Sequence, residues 1–89
     1  MRVHYNLARE YERLWEAEKA IQHFRRVIEL NPNKTLNMTL RRRLAKILAQ
    51  KGLYQEAINE MSIVVSMAPD DLENLKKYQQ YRRLQLQRR

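Results

Sequence analysis

The sequence predicts an all-α fold in which antiparallel helical hairpins stack into a short α-solenoid of about five helices. Three observations carry that expectation. One glycine and two prolines in 89 residues leave little material for tight turns, so most of the chain goes into long helices. Apolar residues recur three and four apart rather than at every second position, which argues against half-buried strands. There is also an internal repeat at an offset of 37: Ala20, Ile21, Phe24, Val27, Ile28 and Pro32 are answered by Ala57, Ile58, Met61, Val64, Val65 and Pro69, and Leu7-Ala8 and Tyr11 by Leu44-Ala45 and Leu48. Two helices per unit, repeated in register with the same stop signal, are the mark of a repeat array.

The elements follow in order. A first helix is expected from about residue 2 to 14, with a turn around Leu14 to Glu16 and a second helix over 17–30. Asn31-Pro32 ends it, because proline lacks the N–H and restricts the residue before it. The second hairpin spans 37–50 and 54–67, broken at Gly52 and stopped by Ala68-Pro69. A fifth helix starts after Pro69 and runs to about residue 86, with Asp70-Asp71-Leu72-Glu73 offering an N-cap aspartate, negative charge for the helix dipole and a glutamate placed as in a capping box. The expected organisation is one domain over residues 1–89, with a first unit at 2–32, residues 33–37 inserted, a second unit at 38–69 and a covering helix at 70–87.

Composition excludes several functions. A chain of this length buries only about 60 to 65% of its unfolded surface, which leaves no room for a large enzyme pocket. There is no cysteine, hence no disulfide, thiolate metal site or cysteine nucleophile. No apolar run approaches the roughly 18 to 20 residues of a membrane span, and Met1-Arg2-Val3-His4 is not followed by the apolar core of a signal peptide. The default expectation is a cytoplasmic chain that does not enter a membrane. His4 and His23 lie 19 residues apart and read as boundary or surface residues rather than metal ligands. Glu10, Glu12, Glu16 and Glu18 interleave with Arg9, Arg13 and Lys19 at helical contact spacing and read as solvated ion pairs. No catalytic residue, metal or cofactor is expected, and the chain is not read as an enzyme.

Leu7-Ala8, Tyr11, Ala20, Phe24, Val27 and Pro32, and again Leu44-Ala45, Leu48, Ala57, Met61, Val64 and Pro69, resemble the tetratricopeptide repeat (TPR). The resemblance covers roughly residues 2 to 69 as two repeats, and the last helix is similar to the extra helix that covers a final repeat in that family. It implies a right-handed stack of hairpins and a non-catalytic protein-interaction or scaffold role. Three features depart from the family pattern. The unit is 37 residues against a usual length of about 34, so the extra residues either lengthen the loop or add most of a turn to the next helix. His4 and Arg41 stand where the family often has an aromatic, so that packing contact is missing or replaced. Trp15 occupies the turn position that Gly52 fills in the second unit, and is read as a cover on the hairpin end. The first helix begins without a cap residue, which leaves an N-terminal face that can pair with another copy or continue into a longer array.

The formal charge is +8, from 18 Lys and Arg against 10 Asp and Glu, and its placement is informative. With Val3, Leu7, Tyr11 and Leu14 forming the buried stripe of the first helix, Arg2, Arg9 and Arg13 fall on its other side. With Leu40, Leu44, Ile47 and Leu48 buried in the third, Arg42, Arg43 and Lys46 lie away from them. The resemblance implies that these faces line a concave groove continued by the covering helix. The implied partner-binding set is Arg2, Tyr5, Asn6, Arg9, Arg13, Arg42, Arg43, Lys46, Lys76, Lys77 and Arg83. With the neighbouring Glu12, Thr39, Ala49, Gln50, Glu73, Gln80 and Leu84, these 18 positions hold nine basic and two acidic residues. A groove of one sign concentrates counter-charged ligands, so an acidic peptide or acidic protein surface is the expected partner. Members of the family that grip a terminal carboxylate would need Lys and Asn at positions where this chain has Tyr5, Arg9, Arg43 and Glu73. Only Lys77 agrees, so that subtype is not expected. A second reading is RNA binding through the same face, with Tyr78 and Tyr81 stacking on bases and Arg82-Arg83 and Arg88-Arg89 holding the backbone; Tyr78 is expected instead to pack with Leu75 against the second hairpin.

Overall fold

The computed structural model describes residues 17–87. Among these residues are four helices and no strand: α1 (Ala17–Leu30), α2 (Lys34–Gln50), α3 (Tyr54–Met67) and α4 (Leu72–Gln87). The expected helix over 2–14, with Arg2, His4, Tyr5, Asn6, Arg9, Arg13 and the turn residue Trp15, lies outside the described residues.

Each helix packs on the next in sequence, and side-chain pairs fix their antiparallel sense. Lys51, just past the end of α2, reaches Glu18 at the start of α1 at 3.0 Å. Gln85 near the end of α4 donates to Gln55 near the start of α3 at 2.8 Å.

The 37-residue unit is accommodated in helix rather than in loop. Asn33 caps α2: its side-chain oxygen accepts from the Leu36 N–H at 2.9 Å, while its own N–H donates to the Asn31 side chain at 2.8 Å. Lys34 to Asn37 therefore form the first turn of α2, which starts three residues before the residue 37 that the sequence predicts. Asn37 then splices this added turn to the preceding helix, donating from Nδ2 to the carbonyls of Ile28 at 3.1 Å and Asn31 at 3.4 Å.

The turn between α2 and α3 is set by Gly52 at φ 82°. The Gly52 N–H donates to the Ala49 carbonyl and the Leu53 N–H to the Leu48 carbonyl, both at 2.9 Å. This 5→2 and 6→1 pair satisfies carbonyls the helix end would otherwise strand, and needs a residue that tolerates positive φ. At the start of α4 the cap is Asp71, whose Oδ1 accepts from the Glu73 N–H at 3.0 Å. Glu73 does not close a capping box; its carboxylate lies 3.7 Å from Lys76.

The core contains the repeat positions in pairs. Ala20 and Ala57, Phe24 and Met61, and Val27 and Val64 are all essentially inaccessible, with Leu40, Leu44, Ala45, Ile47 and Leu48 of α2 between them. Each large side chain buried this way contributes about 1.5 to 3 kcal/mol of transfer free energy. The small Ala20, Ala45 and Ala57 allow backbones to approach, and Phe24 and Met61 fill the space between successive helices. α4 continues the repeat by one more helix. Tyr81 lies 37 residues after Leu44 and is likewise buried in the core cluster. Its neighbour Arg82 stands where α2 has the buried Ala45 and is exposed, while Gln85 stands where α2 has Leu48 and meets Gln55 of α3 with a polar contact.

Candidate functional site

α2 and α4 flank an open cleft of about 300 Å³, lined by Arg42, Arg43, Lys46, Met61, Lys77 and Tyr81. The helical period explains the composition. Leu40, Leu44, Ile47 and Leu48 take the buried stripe of α2, which leaves Arg42, Arg43 and Lys46 on its flank. On α4 the buried side chains are Asn74 and Tyr81, and Lys77 sits one turn from each on the cleft side. Met61 of α3 and Tyr81 of α4 lie at the base, at 1% and 6% exposure. The result is a small apolar floor beneath four cationic side chains.

The four cations are held differently. Arg42 spans from α2 to α4: Nη1 donates to Asn74 Oδ1 at 3.1 Å and Nη2 to Thr39 Oγ1 at 3.5 Å, with Asp71 Oδ2 4.0 Å from Nη1. Lys46 and Lys77 are exposed and form no ion pair among the described residues. Arg43 is half-buried. Asn74 is 1% exposed, and its Nδ2 has no hydrogen-bond partner among the described residues; a buried polar group left unpaired in this way costs on the order of 1 to 3 kcal/mol.

Of the residues expected to bind a partner, the cleft brings together Arg42, Arg43, Lys46 and Lys77. Lys76 and Arg83 do not join them. At about 100° per residue both fall on the side of α4 away from Asn74 and Tyr81, and Lys76 is turned toward Glu73. The grouping of Lys76 and Arg83 with the groove is therefore corrected: α4 turns only one of its three expected cations toward α2. Arg2, Tyr5, Asn6, Arg9 and Arg13 lie outside the described residues. Two residues of the cleft were not legible as such. Met61 was read only as core. Tyr81, one of the two rings expected to stack on bases in the RNA reading, packs into the core, and burial pushes its hydroxyl pKa above the usual 10.0. Tyr78, not Tyr81, is the more open ring, with the Arg82 guanidinium 5.7 Å from its centroid.

A second depression of similar volume lies between α1, α2 and α3, lined by Arg25, Ile28, Glu29, Arg41, Leu44 and Glu60. Its charges are already matched. Glu60 accepts from Arg41 Nη1 at 2.8 Å and from Arg25 Nη1 at 3.2 Å. Arg41 is further oriented by Nε donating to Asn37 Oδ1 at 2.9 Å. The aromatic contact absent from the sequence at Arg41 is thus replaced by a hydrogen-bonded ion pair. Among the described residues no group of three or more His, Cys, Asp or Glu side chains is placed to hold a metal, and no helix is long and apolar enough to cross a membrane.

A comparison with curated proteins finds no match. The tetratricopeptide repeat family model matches residues 1–34, a span that includes the whole of α1 and its Asn31-Pro32 stop. Repeats of this family are in general non-catalytic protein-interaction modules, and the match supports a protein–protein interaction or scaffold role. The chain thus carries a match to the tetratricopeptide repeat over residues 1–34, followed by a second hairpin of the same residue pattern and a further helix packed on it.

Proposed function

We propose that the chain is a non-catalytic interaction module that takes an acidic peptide, or an acidic segment of a protein surface, into the cleft between α2 and α4. The observation that carries this reading is the convergence of Arg42, Arg43, Lys46 and Lys77 over Met61 and Tyr81. Like charges gathered along a concave surface raise the local concentration of an anionic ligand. The apolar floor gives a side chain of that ligand something to bury against. RNA is the less favoured occupant, because the burial of Tyr81 withdraws one of the two rings that would stack on bases.

The test is a fluorescence-anisotropy titration with three probes: a labelled Asp/Glu-rich peptide, its Asn/Gln counterpart and a homopolymer RNA. Wild type is expected to bind the acidic peptide in preference to the other two. Lys46→Glu combined with Lys77→Glu is expected to weaken that binding by at least about tenfold, since it sets like charges against the ligand. Equal binding of the acidic and amide peptides, or tighter binding of RNA, would overturn the reading.

A further inference from the structure

Asn74 and Asn37 occupy the same place in successive units, 37 residues apart, and each offers its side-chain oxygen to an arginine of α2. Asn37 Oδ1 accepts from Arg41 Nε at 2.9 Å, and Asn74 Oδ1 from Arg42 Nη1 at 3.1 Å. Their amide nitrogens differ. Asn37 Nδ2 reaches the Ile28 and Asn31 carbonyls and so joins α1 to α2. Asn74 Nδ2 has no hydrogen-bond partner among the described residues, and the residue is 1% exposed. A leucine on this stripe of α4 would bury apolar surface and leave no amide unpaired. The side-chain hydrogen bond that Asn74 makes among the described residues is to a cation that lines the cleft.

We infer that Asn74 is a positioning residue for recognition: it pins the Arg42 guanidinium at the cleft wall, so that an acidic ligand meets an arginine already held in place. This rests on the reading of the cleft as an acidic-peptide site. Of the five N–H donors of a guanidinium, Asn74 and Thr39 engage two among the described residues, leaving three for a carboxylate, with which arginine forms paired hydrogen bonds. Ordering such a side chain before binding removes part of the entropy loss that binding would otherwise carry.

The experiment compares wild type, Asn74→Leu, Arg42→Ala and the double variant for thermal melting and for anisotropy with the labelled Asp/Glu-rich peptide, and records the Arg42 side-chain nitrogen resonances by NMR. Asn74→Leu is expected to melt no lower than wild type yet bind the peptide about five- to tenfold more weakly, the scale of one side chain that must now be ordered on binding. In the Arg42→Ala background it should cause no further loss. The Arg42 Nη signals should be separately resolved in wild type, as for a guanidinium in hindered rotation, and averaged in Asn74→Leu. Unchanged peptide affinity in Asn74→Leu, or losses that simply add in the double variant, overturns the inference while leaving the cleft reading intact. Averaged Arg42 signals in wild type overturn it whether or not the peptide binds. No peptide binding by wild type sinks the cleft reading and the recognition role of Asn74 with it, even if the pin itself is seen.

Discussion

Arg41 Nη1 donates to Glu60 Oε1 at 2.8 Å across the second hairpin, and the other oxygen of the same carboxylate accepts from Arg25 of α1 at 3.2 Å. One side chain of α3 therefore holds both preceding helices, at the level where successive units meet. The Glu60 side chain is 8% exposed and that of Arg41 22%, whereas that of Arg25 is 44% exposed. The energetic weight should follow that order.

Removing one partner of a buried pair leaves the other desolvated and uncompensated. Glu60→Ala is expected to destabilise the fold by about 3 kcal/mol, seen as a fall of roughly 10 to 20 °C in melting temperature for a domain of this size. Arg25→Ala removes a more exposed arm and should cost under about 1 kcal/mol. Replacing Arg41 and Glu60 together by leucine should recover most of the loss. A Glu60→Ala protein that melts like wild type would show that the pair carries no weight.

The end of α2 gives a cleaner backbone test. Gly52 sits at φ 82°, where a Cβ costs about 1 to 2 kcal/mol, so Gly52→Ala should lower stability by that amount in urea titrations with the slope unchanged. Asn33→Ala, which removes the side-chain acceptor for the Leu36 N–H, should cost about 1 kcal/mol. If Asn33→Ala is silent, the added turn of α2 is held by Asn37 alone.

The charge reversal in the cleft separates binding from folding. Lys46 and Lys77 are exposed, so Lys46→Glu with Lys77→Glu should shift stability by no more than about 0.5 kcal/mol per site and leave the circular dichroism spectrum unchanged. Arg42→Glu is expected to behave otherwise, because Arg42 also ties α2 to Asn74 and lies near Asp71 at the start of α4. A large melting shift in the Lys pair, or none in Arg42→Glu, would reverse these assignments.

What could be read from the sequence was what repeats. Ala20 with Ala57, Phe24 with Met61 and Val27 with Val64 were legible as core because the same residue class returns at the same offset, and Pro32, Gly52 and Pro69 punctuate the chain by local backbone chemistry alone. The start of α2 was less legible, because Asn33 reads equally as a loop residue or as a cap until the Leu36 N–H is seen on its side chain. Arg41 is set apart from Arg42 and Arg43 by its place at a position where the family often has an aromatic, but what replaces the aromatic contact is not legible from neighbouring residues. The partners of Arg41 and Arg42 lie 19 and 32 residues away, at Glu60 and Asn74. Lys76 and Arg83 are grouped with the groove by the family resemblance, on a helix whose apolar stripe is weak; the burial of Tyr81 and of the polar Asn74 fixes which side of that helix faces inward.

Tyr81 supplies a pH dependence whose sign follows from its burial. At 6% exposure, desolvation disfavours the phenolate and holds the folded-state pKa above the usual 10.0. The neutral phenol is the form the folded state accommodates, so the contribution is fully present below the unfolded value near 10.0. It is lost as pH rises through the higher folded value, because the unfolded chain releases the proton first. Comparison with Tyr81→Phe isolates the contribution of this one hydroxyl. That variant keeps the ring in the core and removes the ionisable group. Melting curves of the two proteins should run parallel from pH 6 to 9 and diverge in the alkaline range, wild type falling faster. Parallel loss in both proteins up to pH 11.5 would mean that the Tyr81 hydroxyl reaches water in the folded chain, and that the floor of the cleft is more open than its burial indicates.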